Sequence, residues 1–158
     1  MRTRITARAV VYDRGRDSIL LVKSRDTDFW HIPGGGWEAD EENILECAKR
    51  EVKEETGLDV EIGKFLYLQE YHHSSESVIF DTFWLAFPTG DTSIDEDHID
   101  LDLGSDGGIV EKRWFTRGEA GAMELYPEVF RRRFWEDLDD VASRGDRFLG
   151  VNFNVSSK

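Results

Sequence analysis

Three glutamates, Glu51, Glu54 and Glu55, occupy positions i, i+3 and i+4 of a segment with helical character. Side chains at these spacings share one face of an α-helix, so the three carboxylates are predicted to lie together. Like charges at this spacing repel one another by about a few tenths of a kcal/mol per exposed pair. Clustered carboxylate oxygens are typical ligands of hard divalent cations such as Mg²⁺ or Mn²⁺. The pattern therefore indicates a helix that holds a metal ion.

The bulk composition limits the classes of function that the chain can have. Its 158 residues suit one domain, residues 1–158, that is long enough for a hydrophobic core. The net charge is −13, from 20 basic and 33 acidic residues. That balance argues against a partner that is a nucleic-acid polymer or an anionic membrane, because both need a positive protein surface. A phosphorylated small molecule stays possible, since a bound divalent metal inverts the local field.

Cysteine usage and hydropathy indicate the compartment. The single Cys47 excludes an internal disulfide and a zinc site built from cysteines. No apolar run approaches the roughly 20 residues that a membrane span needs, and no apolar segment follows the basic start of the chain. We therefore expect a soluble, cytoplasmic protein.

The elements that must position the glutamates begin with strands. Residues 5–12 are rich in β-branched and aromatic side chains and predict a strand, which forms a hairpin with a second predicted strand at 18–23. Residues 29–32 predict a short extended piece. Three glycines, Gly34 to Gly36, then predict a turn whose backbone approaches a ligand. The helix is predicted to begin near residues 41–43 and to end at Gly57, with an apolar stripe of Leu45, Ala48 and Val52.

The remainder of the chain predicts a mixed sheet that is covered on both faces. Strands are predicted at 59–70, 78–87 and 109–115, with a turn at 71–77 and an acidic, exposed loop at 89–108. Helices are predicted at 117–124 and 127–142. Residues 148–153 suggest a further strand or a contact with a partner.

A longer motif surrounds the three glutamates. From Gly36, five residues lead to Glu42 and seven more lead to the run R-E-V-K-E-E-T-G-L at residues 50–58. This spacing matches the Nudix box at every defined position over residues 36–58. The chain therefore resembles the Nudix (MutT-type) hydrolases.

The resemblance implies a fold and a chemistry. The fold is of the α/β class, a Nudix-type α/β/α sandwich with a mixed β-sheet between helices. The activity is hydrolysis of a nucleoside diphosphate linked to another moiety, with water as nucleophile and Mg²⁺ or Mn²⁺ as cofactor. Carried over by position, Glu51, Glu54 and Glu55 are expected metal ligands together with the Gly35 carbonyl, and Arg50 is expected to orient the carboxylates.

The register of the box leaves alternatives open. The distance from Pro33 to Arg50 is one residue longer than in most family members. When the motif is aligned from Arg50, Gly36 and Glu42 occupy its glycine and first glutamate positions. When it is aligned from Pro33, Gly35 and Glu41 occupy them. Glu38, Glu41 and Glu42 are therefore all candidate outer-shell carboxylates.

The general base and the substrate are less determined by the motif. The base is expected to be Glu51 or a carboxylate of the loop 89–108, with Asp106 as the first choice there. Candidate substrate-binding residues, chosen as basic, aromatic or close-approach positions, are Lys23, Trp30, Gly36, Tyr71 and His72.

The sequence leaves the substrate, the oligomeric state and one alternative function open. An ADP-ribose or nucleotide-sugar substrate and a nucleoside triphosphate are both compatible with the box, in a monomer or a homodimer. A non-catalytic Nudix-fold module that senses a nucleotide is the alternative function.

Overall fold

The structure, a computed structural model, describes residues 1–94, 108–140 and 147–153. Within these ranges the strands form one sheet: β1 (Arg2–Asp13), β2 (Ser18–Ser24), β3 (Trp30–His31), β4 (Gly34–Gly36), β5 (Val60–Ser74), β6 (Ser77–Pro88), β7 (Ile109–Thr116), β8 (Leu125–Tyr126) and β9 (Phe148–Phe153). The helices are α1 (Ile44–Thr56), α2 (Arg117–Ala122) and α3 (Arg133–Asp139), with a 3₁₀ turn at Glu128–Arg131 before α3.

Strand β1 lies at the centre of the sheet. The strand order is β8-β3-β2-β1-β6-β5-β9, and β4 and β7 pair with β1 and β2 outside this path. Strand β1 runs parallel to β6 over ten paired residues and antiparallel to β2 and β4. The predicted mixed sheet and the α/β class are thereby confirmed.

Alternating side chains of β1 supply two separate cores. Ala9 belongs to the core under α1, together with Ala48 and Val52 of that helix. Val10 points to the opposite core, which contains Phe130 of the 3₁₀ turn. Because successive side chains of a strand face opposite sides of a sheet, one strand holds helices on both faces.

Helix α1 has a defined beginning and end. The Asn43 side chain accepts a hydrogen bond from the Glu46 N–H at 2.8 Å, and the Glu46 carboxylate accepts one from the Asn43 N–H at 3.0 Å. This capping box satisfies two donors that a helix leaves without partners. Gly57 ends the helix with a φ of 80°, a left-handed conformation that favours glycine. The predicted end at Gly57 is confirmed.

Several details differ from the sequence predictions. Residues 34–36 form a strand rather than a turn, because their backbone pairs with residues 6–8 of β1. Leu45 is 40% exposed and does not join Ala48 and Val52, since the buried stripe continues through Cys47. Strands β5 and β6 extend into the predicted turn at 71–77. The single helix predicted at 127–142 is divided at Arg132, whose φ and ψ of −138° and −64° are not helical.

Residues 148–153 form strand β9, which pairs in parallel with β5 at the edge of the sheet. None of the helices within residues 1–94, 108–140 and 147–153 is long and apolar enough to span a membrane.

The cap of α1 can be tested by substitution. Asn43→Ala removes the side-chain acceptor and is expected to lower the free energy of unfolding by about 1 kcal/mol, the usual effect of losing an N-cap. Urea denaturation followed by tryptophan fluorescence measures this change. Lys49→Ala, at an exposed position of the same helix, is the control, and an equal loss in both variants would show that the cap contributes nothing of its own.

Candidate active site

Arg50 of α1 gathers three glutamates around its guanidinium group. Its Nε and Nη2 donate to the two carboxylate oxygens of Glu42 at 2.9 and 2.8 Å. Its Nη1 donates to Glu51 Oε1 at 3.0 Å and to both oxygens of Glu54 at 3.2 Å. One cation therefore holds several carboxylate oxygens close together. We call Arg50, Glu42, Glu51, Glu54 and Glu55 the carboxylate cluster.

The glycines of β4 allow this cluster to press against the sheet. A Cβ built on Gly35 would stand only 2.5 Å from the Glu51 carboxyl carbon and its Oε1. The Gly34 N–H donates to Glu55 Oε2 at 3.1 Å. Glu51 is consequently only 7% exposed, although it carries a charged group. The absence of side chains on β4 is what lets these carboxylates lie directly on the backbone.

Of the two candidates for the box position, Glu42 forms a bidentate ion pair with Arg50, whereas Glu41 is exposed. The hydrogen bond from Arg50 is the main reason that the pKa of Glu42 falls to about 2, in spite of the opposing effect of burial. The pKa of Arg50 is raised, chiefly by the same hydrogen bond. The Glu38 N–H donates to Glu42 Oε1 at 3.2 Å, so Glu38 contributes its backbone to the cluster.

The carboxylate cluster fits a hard divalent cation, because every side chain in it other than Arg50 offers carboxylate oxygens as metal ligands. Within the described residues, no three acidic, histidine or cysteine side chains already stand at metal-ligand spacing. Glu51 and Glu54 instead converge on Arg50 Nη1. Glu54 is 57% exposed, so its side chain has room to change partner.

Residues of β1, β5 and β6 contribute to the lining of a cleft of about 1010 Å³. Arg8 lines this cleft, and its Cγ would stand 2.5 Å from a Cβ on Gly34, so the cleft adjoins the cluster across the glycine strand. Ring side chains make up much of the lining: Phe29, His31, Tyr71, His73, Phe83, Tyr126 and Phe153.

A buried polar network forms one wall of the cleft. Asp81 accepts hydrogen bonds from Thr6 Oγ1 at 2.6 Å, from Arg8 Nε at 2.9 Å and from Gln69 Nε2 at 3.1 Å. Asn152 of β9 donates to Gln69 Oε1 at 3.1 Å and extends the network to the sheet edge. Burial would raise the pKa of Asp81, but Arg8 and the other donors lower it below its ordinary value. The carboxylate is therefore ionised at neutral pH.

His31 adds a neutral ring to the same wall. Burial is the main cause that lowers its pKa to about 4, and the positive charge of Arg8 adds to the effect. At neutral pH the ring is uncharged, and its Nδ1 lies 3.3 Å from the Ile32 carbonyl oxygen.

Of the predicted substrate-binding residues, Tyr71 lines the cleft and four others lie elsewhere. Trp30 packs edge-on against Phe115, with 4.9 Å between ring centroids. His72 Nε2 lies 2.6 Å from Glu70 Oε2.

Lys23 and Gly36 also lie outside the lining of the cleft. Lys23 stands opposite Glu111 in the β2–β7 pairing. Gly36 lies under the Arg4 guanidinium, and its carbonyl accepts from Arg50 Nη2 at 3.4 Å. Asp106 lies outside the described residues.

The polar wall was missed in the sequence, although a sign of it is present. Arg8 stands between Ala7 and Ala9, and Asp81 stands within the run V-I-F-D-T-F-W of residues 78–84. A charged residue inside an otherwise apolar strand must find a partner when the strand is buried. Two such charges on separate strands are a pattern that predicts an ion pair.

The close contact at Gly35 leads to a stability prediction. Gly35→Ala places a methyl group where the Glu51 carboxylate lies, so that carboxylate must move away from its hydrogen bond with Arg50, and the free energy of unfolding is expected to fall by about 1 kcal/mol. Urea denaturation measures the change. Gly118→Ala is the matched control, because no atom lies within 4 Å of its built Cβ. Equal stability of Gly35→Ala and the wild type would contradict the contact.

The Glu42–Arg50 pair leads to a prediction about pH. The folded-state pKa of Glu42 lies below its ordinary 4.5, so the pair stabilises the fold above that value and its contribution is lost as pH falls towards 2. Unfolding free energies measured between pH 5 and pH 3 are expected to fall less steeply in Glu42→Gln than in the wild type. Glu61→Gln, an exposed substitution on β5, should retain the wild-type slope. Parallel slopes for all three proteins would refute this role of the pair.

Comparisons with known proteins identify the family of the chain. A model of the NUDIX domain matches residues 2–141. An mRNA-decapping enzyme subunit 2 of Saccharomyces cerevisiae (strain YJM789) is 40% identical over 52 residues, 33% of this chain. The chain spans only 5% of that protein's length.

Solved structures of low identity share the fold. A NUDIX hydrolase from Nitrosomonas europaea has a TM-score of 0.66 at 18% identity, over 98% of this chain and 81% of that one. An ADP-ribose pyrophosphatase from Streptococcus suis 89-1591 has a TM-score of 0.58 at 20% identity, over 96% and 98%. With a family model that matches residues 2–141, the chain belongs to the NUDIX domain family.

Proposed function

We propose that the protein is a metal-dependent pyrophosphohydrolase that cleaves a nucleoside diphosphate linked to another moiety, with Mg²⁺ or Mn²⁺ as cofactor. The observation that carries this proposal is the carboxylate cluster. Every glutamate of the Nudix box is retained, and the Glu51 and Glu55 carboxylates lie against the backbone of β4. Buried, like-charged groups are expensive to keep together, which favours a function that uses their charge.

The chemistry of a pyrophosphate explains the need for such a cluster. The oxygens of the diphosphate repel an incoming water molecule, and a bound divalent cation neutralises that charge and lowers the pKa of water. Glu51, Glu54 and Glu55 would hold the cation, with the Gly35 carbonyl as a further ligand. Arg50 would keep Glu51 and Glu54 in place through the hydrogen bonds described above.

The proton of the attacking water requires a base. Glu51 is the described candidate, because Gly35 and Arg50 fix its carboxylate from two sides. Asp106 of the acidic segment is the second candidate. Glu42 would act from the outer shell, through its ion pair with Arg50.

The cleft supplies a place for the nucleoside. Aromatic rings stack on nucleobases, and each such contact is worth roughly 1–3 kcal/mol. Tyr71, Phe29 and Tyr126 offer rings there, and the cleft volume is large for a single base. The proposed substrate class includes ADP-ribose, nucleotide sugars and nucleoside triphosphates.

Substitution of the glutamates tests the proposed reaction. Glu54→Gln and Glu51→Gln are each expected to lower kcat/KM by at least about 100-fold, because the metal supplies several kcal/mol of transition-state stabilisation and 1.36 kcal/mol corresponds to tenfold. The assay is chromatography of products from ADP-ribose, nucleotide sugars, dinucleoside polyphosphates and nucleoside triphosphates with Mg²⁺ or Mn²⁺. Glu61→Gln is the control and should retain full activity.

The outcomes separate two functions. If both cluster variants keep the wild-type rate, the cluster is not the metal site. If the wild type binds nucleotides tightly but hydrolyses none of the panel, a nucleotide-sensing module replaces the enzyme.

A further inference from the structure

Arg8 stands between the carboxylate cluster and the cleft. It belongs to β1, lines the cleft, and crosses Gly34 so closely that its Cγ and Cα would contact a Cβ there at 2.5 and 2.6 Å. Burial alone would lower the pKa of Arg8, but the carboxylates of Asp81, Glu55 and Glu51 raise it. A permanent positive charge therefore lies within electrostatic reach of the metal-binding glutamates and at the wall of the nucleoside cleft.

The guanidinium of Arg8 is held at two of its three nitrogens. Nε donates to Asp81 Oδ1 at 2.9 Å, and Nη1 donates to the Ile32 carbonyl at 3.2 Å. In the described part of the chain, Nη2 donates no hydrogen bond. The side chain is 24% exposed, and the cleft is the space that it lines. Three of the five N–H donors of this arginine, two of them on Nη2, are thus left for a molecule in the cleft.

Asp81 determines the direction of these donors. Its carboxylate is held by Thr6 Oγ1 and Gln69 Nε2 in addition to Arg8, so the acceptor for Nε cannot rotate freely. Holding Nε and Nη1 fixes the plane of the guanidinium, since the group is rigid. The Arg8 side chain has then already lost its conformational entropy before a ligand binds, which favours binding.

We propose that Arg8 binds the phosphate on the nucleoside side of the substrate's diphosphate, and that Asp81 is the residue that positions it. This inference rests on the proposed function, because it assumes a nucleotide with its base in the cleft and its diphosphate at the cluster. Arg8 and Gly34 connect these two places, because Arg8 lines the cleft and its strand neighbour Gly34 donates its N–H to Glu55 of the cluster. Guanidinium groups bind phosphate oxygens through short, charge-assisted hydrogen bonds.

A purely structural role for Arg8 is the competing interpretation. In that case Arg8 only compensates the buried charge of Asp81. A structural pair affects stability, whereas a phosphate ligand affects affinity for phosphate-bearing molecules selectively. Comparing each nucleotide with its own nucleoside separates the two roles.

Calorimetric binding without divalent metal provides the test. The probes are AMP, GMP, CMP and UMP, each compared with its nucleoside. Arg8→Gln is expected to weaken the best monophosphate about 10- to 100-fold, the usual range for a lost hydrogen bond to a charged group, and to leave the nucleoside unchanged. Arg8→Lys keeps the charge but loses the planar fork, so an intermediate loss is expected. Arg2→Gln, at an exposed position of the same strand, is the matched control.

Asp81→Asn tests the positioning role. It leaves the Arg8 charge in place but weakens the bond to Nε, so monophosphate affinity is expected to fall while nucleoside affinity holds. Thermal melts of every variant identify loss of fold, and Arg8→Lys supplies the comparison if Arg8→Gln does not fold.

The results distinguish this inference from the proposed function. If the wild type binds no monophosphate more tightly than its nucleoside, or if folded Arg8→Gln or Arg8→Lys binds it as well as the wild type does, the Arg8 site is wrong. Hydrolysis by the wild type in the presence of metal would then still support the proposed function. If Arg8 variants lose monophosphate binding but the wild type hydrolyses no pyrophosphate, only the proposed function fails.

Discussion

The contact between the Glu51 carboxylate and the backbone of Gly35 is the constraint on which the site depends. It requires a strand without side chains on one side and, on the other, a helix whose Glu51 carboxylate comes so close that a Cβ on Gly35 would stand 2.5 Å from it. The core of Ala9, Ala48 and Val52 provides this approach, because small side chains bring α1 near the sheet. The burial of the Glu51 carboxylate therefore depends on the packing of α1 against the sheet.

Local patterns in the sequence predicted much of this arrangement. The helix, its end at Gly57 and the shared face of the glutamates follow from spacing within one segment, and the structure contains them. Glycine-rich segments are usual in turns, so the local sequence predicts a turn at residues 34–36, where the structure has a strand. Its pairing depends on β1, which lies far away in sequence, and no local pattern carries that information.

The contacts in the wall of the cleft also depend on residues that are distant in sequence. Arg8 and Asp81 are separated by 73 residues, and only the parallel pairing of β1 with β6 brings them together. Asn152 reaches the network through β9, whose partner strand could not be chosen from its six residues alone. Charges within apolar strands require partners, but the strand order determines which residues those partners are.

The parallel pairing of β1 and β6 also affects how the protein folds. Parallel neighbours need a long connection, and contacts between distant residues slow folding because the chain must close a large loop first. The box itself, residues 36–58, lies inside the loop that joins these two strands. The box segment is therefore expected to gain its fixed geometry only when the flanking strands have met, so an isolated box peptide would carry the motif without the folded cluster.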